Sequence, residues 1–329
     1  MPALRNLIDA HRSGEHRIVA VVTRPDGRVG RGRSLQPSPV AVVAAEAGLT
    51  VIKAGGARDP AFAEMIRDLD PEVGAVVAYG AILPQPVLDI PTHGWVNLHF
   101  SLLPAWRGAA PVAAAIRHGD RITGASTFRL EAGLDTGPVY GVVTETIDER
   151  DTAGELLGRL AISGARLLHS TLAGIVAGRP EPQPQPADGI SHVGKMTVDD
   201  ARIDWSLPAV GVDRQIRSVT PDPGGWTESR WGKLGIGPVQ PVDGPSVMPG
   251  ELLVGKREVL VGTATSVVRL GTVTAPGKKP MPAADWARGA RPEPGERLAE
   301  PTGTNEAADP NLDGDIIDTA TDSATGSPR

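Results

Sequence analysis

A proline occupies every second position of Arg179-Pro-Glu-Pro-Gln-Pro-Gln-Pro186, and neither a helix nor a central strand can run through such a segment. The segment is expected to be extended and semi-rigid, so it divides the chain into two folding units. At 329 residues, 40% of them hydrophobic, the chain is long enough for each unit to have its own core. The expected boundaries are a first domain over 1–178, a linker over 179–203, a second domain over 204–300 and a tail over 301–329.

The texture differs on the two sides of the prolines. Upstream, short apolar runs alternate with helical patterns, the signature of an α/β domain with a mostly parallel sheet. Ile18–Thr23, Ala75–Ala78, Trp95–His99 and Ala125–Leu130 read as strands; Leu4–His11, Val40–Ala47, Ala61–Leu69 and Val112–His118 read as helices. A long helix is expected over Thr152–Ala177, with Asp151 as its N-cap. Downstream, Lys233–Ile236, Glu258–Thr263 and Val267–Thr274 are β-type runs between Gly/Pro turns, the pattern of a small barrel. Beyond Pro301 there is little to bury, and Glu306, Asp309, Asp313, Asp315, Asp318 and Asp322 face a single Arg; this tail is expected to be disordered.

The residue inventory narrows the chemistry. With no cysteine there is no disulfide, no thiolate zinc site and no thiol nucleophile, and the seven histidines show no metal-binding pairing, so no metal is expected. No apolar run approaches the roughly 20 residues that a bilayer span needs, and no leader is evident, so a cytoplasmic protein without membrane contact is expected. The formal charge of −6 does not mark a nucleic-acid binder, but the acidic tail hides two basic clusters. One holds Arg24, Arg28, Arg31 and Arg33; the other holds Lys278 and Lys279 with Arg288, Arg291 and Arg297. Any contact with RNA has to be made by these patches.

Val96-Asn97-Leu98-His99-Phe100-Ser101-Leu102-Leu103-Pro104 is a strand running into a polar loop. Asn97 and His99 are two residues apart, so they point the same way, at the strand end where ligands of open α/β sheets gather. Spacing alone is equally compatible with a satisfied polar pair at a strand end. In Glu131-Ala-Gly-Leu-Asp-Thr-Gly137, two glycines bracket Asp135 in a tight loop, from which a carboxylate could orient His99. Taken alone, Asp-Thr-Gly is a common structural turn.

Asn97-x-His99, Ser101-Leu-Leu-Pro104, Trp106-Arg-Gly-Ala-Ala-Pro111 and Asp135-Thr-Gly137 resemble, in order and spacing, the active-site signature of the folate-dependent formyltransferases. The resemblance implies an Asn97–His99–Asp135 triad on a Rossmann-like domain, with Ser101, Leu102, Leu103 and Pro104 contacting the folate. It implies 10-formyltetrahydrofolate as co-substrate. Asn97 and His99 would donate to the oxygen that gains charge during transfer, and Asp135 would hold His99 and help remove the amine proton.

The triad does not name the acceptor amine, because related enzymes act on glycinamide ribonucleotide and on sugar nucleotides. Arg24-Pro-Asp-Gly-Arg-Val-Gly-Arg-Gly-Arg-Ser-Leu-Gln-Pro-Ser-Pro39 resembles the basic loop with which methionyl-tRNA formyltransferases meet the acceptor end of tRNA. Arg31 is the matching key residue, flanked by Arg28 and Arg33. Ala201-Arg-Ile-Asp-Trp-Ser206, Ile216-Arg-Ser-Val-Thr-Pro-Asp-Pro-Gly-Gly-Trp226 and Ala275-Pro-Gly-Lys-Lys-Pro-Met281 resemble the same family's C-terminal domain, an OB-type barrel. The implied partner is methionyl-initiator-tRNA, with Lys278 and Lys279 as phosphate contacts, and the chain is expected to act as a monomer. Family members open with a strand and a Gly-Thr-Pro turn ahead of the helix that here starts at Pro2-Ala-Leu-Arg. The natural protein is therefore expected to begin upstream of Met1.

Overall fold

The computed structural model describes residues 1–29, 34–179 and 181–298. Arg31, Arg33 and the acidic tail over 301–329 lie outside the described residues. The first element is helix Pro2–Ser13, ended by Gly14 in the left-handed conformation with φ 84°, whose N–H reaches back to the carbonyls of Ala10 and His11. Its Ala3 joins Val96, Leu98, Ala125, Ala165, Leu168, Leu172 and Ile175 in one buried cluster, which places this helix and helix Ala153–Val176 on the same side of a sheet. The long helix comes close because Gly164 faces the sheet: a Cβ there would stand 3.1 Å from Leu98 Cδ1. On the other side, Phe62, Ile66, Leu83, Val87 and Trp95 form a second cluster beneath helix Pro60–Leu69.

The sheet between them has four strands in the order Gly74–Val77, Trp95–His99, Ile122–Arg129, Val139–Thr146. The first two run parallel; each later neighbour is antiparallel to the last. A separate parallel pair joins Val21–Thr23 to Val51–Lys53, and no ladder among the described residues links it to the four-stranded sheet. The expected strands and helices are present with ends moved by a few residues, while the strands at Val51–Lys53 and Val139–Thr146 were not anticipated. The start of the long helix differs from expectation. Thr152, not Asp151, is the N-cap: its side chain accepts from Glu155 N, and Glu155 Oε2 accepts from Thr152 N at 3.0 Å. Asp151 turns instead to Arg159, which donates to its two oxygens at 2.7 and 2.6 Å. That pairing holds the Asp151 carboxyl below the usual carboxylate range.

The second unit has two four-stranded antiparallel sheets. One is Trp226–Thr227, Leu234–Ile236, Thr272–Thr274, Met281–Pro282; the other is Gln240–Val242, Val267–Arg269, Val259–Gly262, Leu252–Val254. No ladder among the described residues closes them into one barrel. The expected single run Val267–Thr274 breaks at Gly271, so that one half serves each sheet. A Cβ on Gly271 would stand 2.8 Å from Pro238 O, so the crossing chain has room only for glycine. Helices Ala209–Ser218 and Ala283–Ala290 complete a core containing Trp205, Val212, Ile216, Val261 and Trp286. Among the described residues no helix is long and apolar enough to cross a membrane.

Candidate functional site

Strand Trp95–His99 is buried on both faces except at Asn97, which is half-buried and faces a cleft. The strand is held in register by its neighbour: Asn97 pairs with Phe128 and His99 with Ser126. His99 stands edge-on to the Phe128 ring, 6.4 Å between centroids, which fixes the plane of the imidazole. Its Nε2 lies 2.9 Å from the carbonyl oxygen of Trp106. A carbonyl can only accept, so Nε2 carries a hydrogen and Nδ1 is the nitrogen left for chemistry. Nδ1 faces Asp135 Oδ2 at 3.7 Å. Among the described residues, no group hydrogen-bonds the Asn97 amide, which leaves it available to a ligand.

Asp135 sits in the loop between strands Ile122–Arg129 and Val139–Thr146, 9% exposed. Its Oδ2 accepts from Gly108 N at 2.7 Å, and this bond fixes the carboxylate beside the imidazole. The loop is tight: a Cβ on Gly137 would stand 1.8 Å from Arg129 O. Asp135 and Trp106 both have positive φ, 52° and 56°, without being glycine. Such residues cost about 1–3 kcal/mol each and persist only where their surroundings hold them. Gly108, with φ 114°, has no such freedom to lose: a Cβ there would stand 2.1 Å from Val193 O. Gly108→Ala is accordingly expected to lower stability by about 1–3 kcal/mol through forced repacking. Denaturant unfolding checks this, and an unchanged midpoint would mean that the chain around Val193 yields freely.

The cleft has a volume of about 740 Å³, within the range of pockets that hold small organic ligands. Asn97, His99 and Asp135 converge on one part of it. Apolar walls come from Val76, Ile82, Leu83, Leu130 and Leu134, with Tyr79 beside them. Sequence reading missed these wall residues, although Tyr79-Gly80 follows a strand and so carried the same positional signal that marked His99. Of the loop Ser101–Pro104, none of the four residues lines the cleft. Ser101 is fully buried, its Oγ donating to Ala105 O, and Leu103 N donates to Ser126 Oγ at 3.1 Å, which ties this loop to strand Ile122–Arg129. Arg28 is exposed on the hairpin of Gly27–Val29 and Ser34–Gln36, and Lys278 and Lys279 are exposed in the turn before Met281–Pro282. None of these three enters the cleft. Among the described residues no cluster of His, Asp and Glu is placed to hold a metal ion.

The family model described as formyl transferase matches residues 1–172, and the model of the formyl transferase C-terminal domain matches 195–291. The chain is 58% identical to a methionyl-tRNA formyltransferase of Thermobifida fusca over 294 residues, which span 89% of this chain and 95% of that protein. It is 58% identical to a methionyl-tRNA formyltransferase of Saccharopolyspora erythraea over 299 residues, 91% of this chain and 96% of that one. Among solved structures it resembles the N-formyltransferase from Helicobacter canadensis in complex with folinic acid and dTDP-3-aminofucose. That likeness has a TM-score of 0.62 at 16% identity, covering 81% of this chain and 94% of the other, and it concerns the fold.

Proposed function

Because the chain belongs to the formyl transferase family, we propose that it does what its methionyl-tRNA formyltransferase relatives are named for. It transfers the formyl group of 10-formyltetrahydrofolate to the amino group of methionyl-initiator-tRNA, a step of translation initiation and so of the cytoplasm. The observation that carries this reading is the agreement over nine-tenths of the chain, which includes the second domain as well as the cleft.

Attack of the amine on the formyl carbon builds negative charge on the formyl oxygen. The unengaged Asn97 amide is suited to donate to it. His99 is better suited to the proton, since its Nε2 is committed to Trp106 O and its Nδ1 is open. The amine proton passes to Nδ1, and the imidazolium is formed beside the Asp135 carboxylate, which stabilises it. As the bond to the carrier nitrogen breaks, His99 returns the proton to that nitrogen. The apolar walls at Ile82, Leu83, Leu130 and Leu134 suit a flat folate ring, and Ser101, Leu102, Leu103 and Pro104, which continue the strand that carries Asn97 and His99, are read as the loop beside it.

The second domain, over 204–300, is read as an OB-type fold that binds tRNA through Lys278 and Lys279, while Arg28, Arg31 and Arg33 meet the acceptor end. Each chain carries its own Asn97, His99 and Asp135, so a monomer suffices. The test offers the purified chain 10-formyltetrahydrofolate with methionyl-initiator-tRNA, glycinamide ribonucleotide or an amino-sugar nucleotide. Formylmethionine released on deacylation of the tRNA, with no product from the small amines, is the expected result. Formylation of a small amine in place of tRNA would overturn the choice of acceptor.

A further inference from the structure

The chain from Gln183 to Val193, expected to be part of a linker, is bonded to the loop that carries Asp135 and to the loop whose Trp106 carbonyl orients His99. Gln183 and Val139 exchange backbone hydrogen bonds at 2.7 and 2.8 Å. Ser191 Oγ accepts from Trp106 N at 2.9 Å, and His192–Val193 pairs in parallel with Arg107–Gly108. Between these anchors, Gln185 Nε2 donates to the carbonyls of Asp135 and Gly137, each at 2.8 Å. Gln185 Oε1 accepts from Arg107 Nε and Nη2 at 3.1 and 2.7 Å. The partners determine which way the amide points, because carbonyls only accept and a guanidinium only donates. Both of its donors and both of its lone pairs are thereby used.

This segment holds Trp106 and Asp135, both non-glycine residues with left-handed backbone. Trp106, held through its N–H, presents the carbonyl that orients His99. Asp135, held through its carbonyl, presents the carboxylate that faces His99. Either would relax toward an ordinary conformation if released. We propose that Gln185 is a positioning residue for formyl transfer, tying the Asp135 loop to the Arg107 loop so that the carboxylate and the imidazole keep their geometry. This rests on the reading of the site as a formyltransferase centre.

Gln185→Ala removes both sets of bonds. Gln185→Glu keeps an acceptor for Arg107 but sets a carboxylate oxygen against the two carbonyls. In the full chain, both variants are expected to lower the single-turnover transfer rate at least about tenfold while KM for tRNA and folate stays within about twofold. Hydrogen exchange at the Gly108 amide, which is protected by Asp135, is expected to accelerate about tenfold, with exchange in the core unchanged. A parental rate in either variant overturns the proposal, as does unchanged Gly108 exchange. So does a rate loss matched by an equal loss of tetrahydrofolate affinity or by faster exchange throughout, since either points to a general structural role. If the parent formylates no acceptor, the reading of the site falls, and the Gly108 exchange still decides whether Gln185 holds the loop.

Discussion

His99→Ala is expected to slow formyl transfer to methionyl-tRNA by about 10²–10³-fold at saturating substrates, and Asn97→Ala by a similar factor. Each group is aimed at charge or a proton that appears only as the reaction proceeds, so its loss falls on kcat rather than on binding. The factor corresponds to about 2.7–4 kcal/mol of barrier, the usual cost of losing one such donor from a water-excluded acyl-transfer site. The fold should survive both changes. The strand is held by backbone pairing to Ile122–Arg129 and by the buried Val96 and Leu98, none of which is altered. Single-turnover assays with unchanged thermal unfolding check the expectation. Retention of more than about a tenth of the rate by His99→Ala, a difference below about 1.4 kcal/mol, would remove it from the proton path.

The centre of the site was legible because strand geometry fixes it. A two-residue spacing at a strand end puts Asn97 and His99 on one face, and glycines that tolerate no Cβ force Asp135 into a tight loop. What was not legible follows from side chains behaving against type. Helix Ala209–Ser218 buries Asp213, Gln215 and Arg217, so the apolar stripe that announces a helix is partly written in polar residues. Strand Val139–Thr146 exposes Val142, at 53%, which blurs the alternation expected of an edge strand. The proline-rich segment was read as a spacer because prolines donate no backbone hydrogen bond. The glutamines between them make the contacts instead, and composition is silent about where a glutamine points.

The same buried polar helix carries the largest expected effect on stability. Asp213 and Arg217 are 5% and 7% exposed, and Arg217 Nε donates to Asp213 Oδ2 at 2.8 Å. Arg217 also donates to Asp151 O at 2.8 Å, at the foot of the long helix of the first domain, and Gly154 N donates to Thr220 O close by. The ion pair therefore lies at the seam between the two domains. Asp213→Ala would leave a guanidinium buried without its carboxylate, a change that costs about 3–5 kcal/mol where both partners are out of water. Arg150 reaches the other oxygen of Asp213 at 3.0 Å, but its side chain is 52% exposed, and water can replace that contact. Arg150→Ala is therefore expected to cost no more than about 1 kcal/mol. Urea unfolding of the two variants beside the parent separates a buried pair from a screened one. Equal losses, or a loss below about 1 kcal/mol for Asp213→Ala, would mean that water reaches Arg217 and that the seam is held by its apolar contacts and backbone hydrogen bonds.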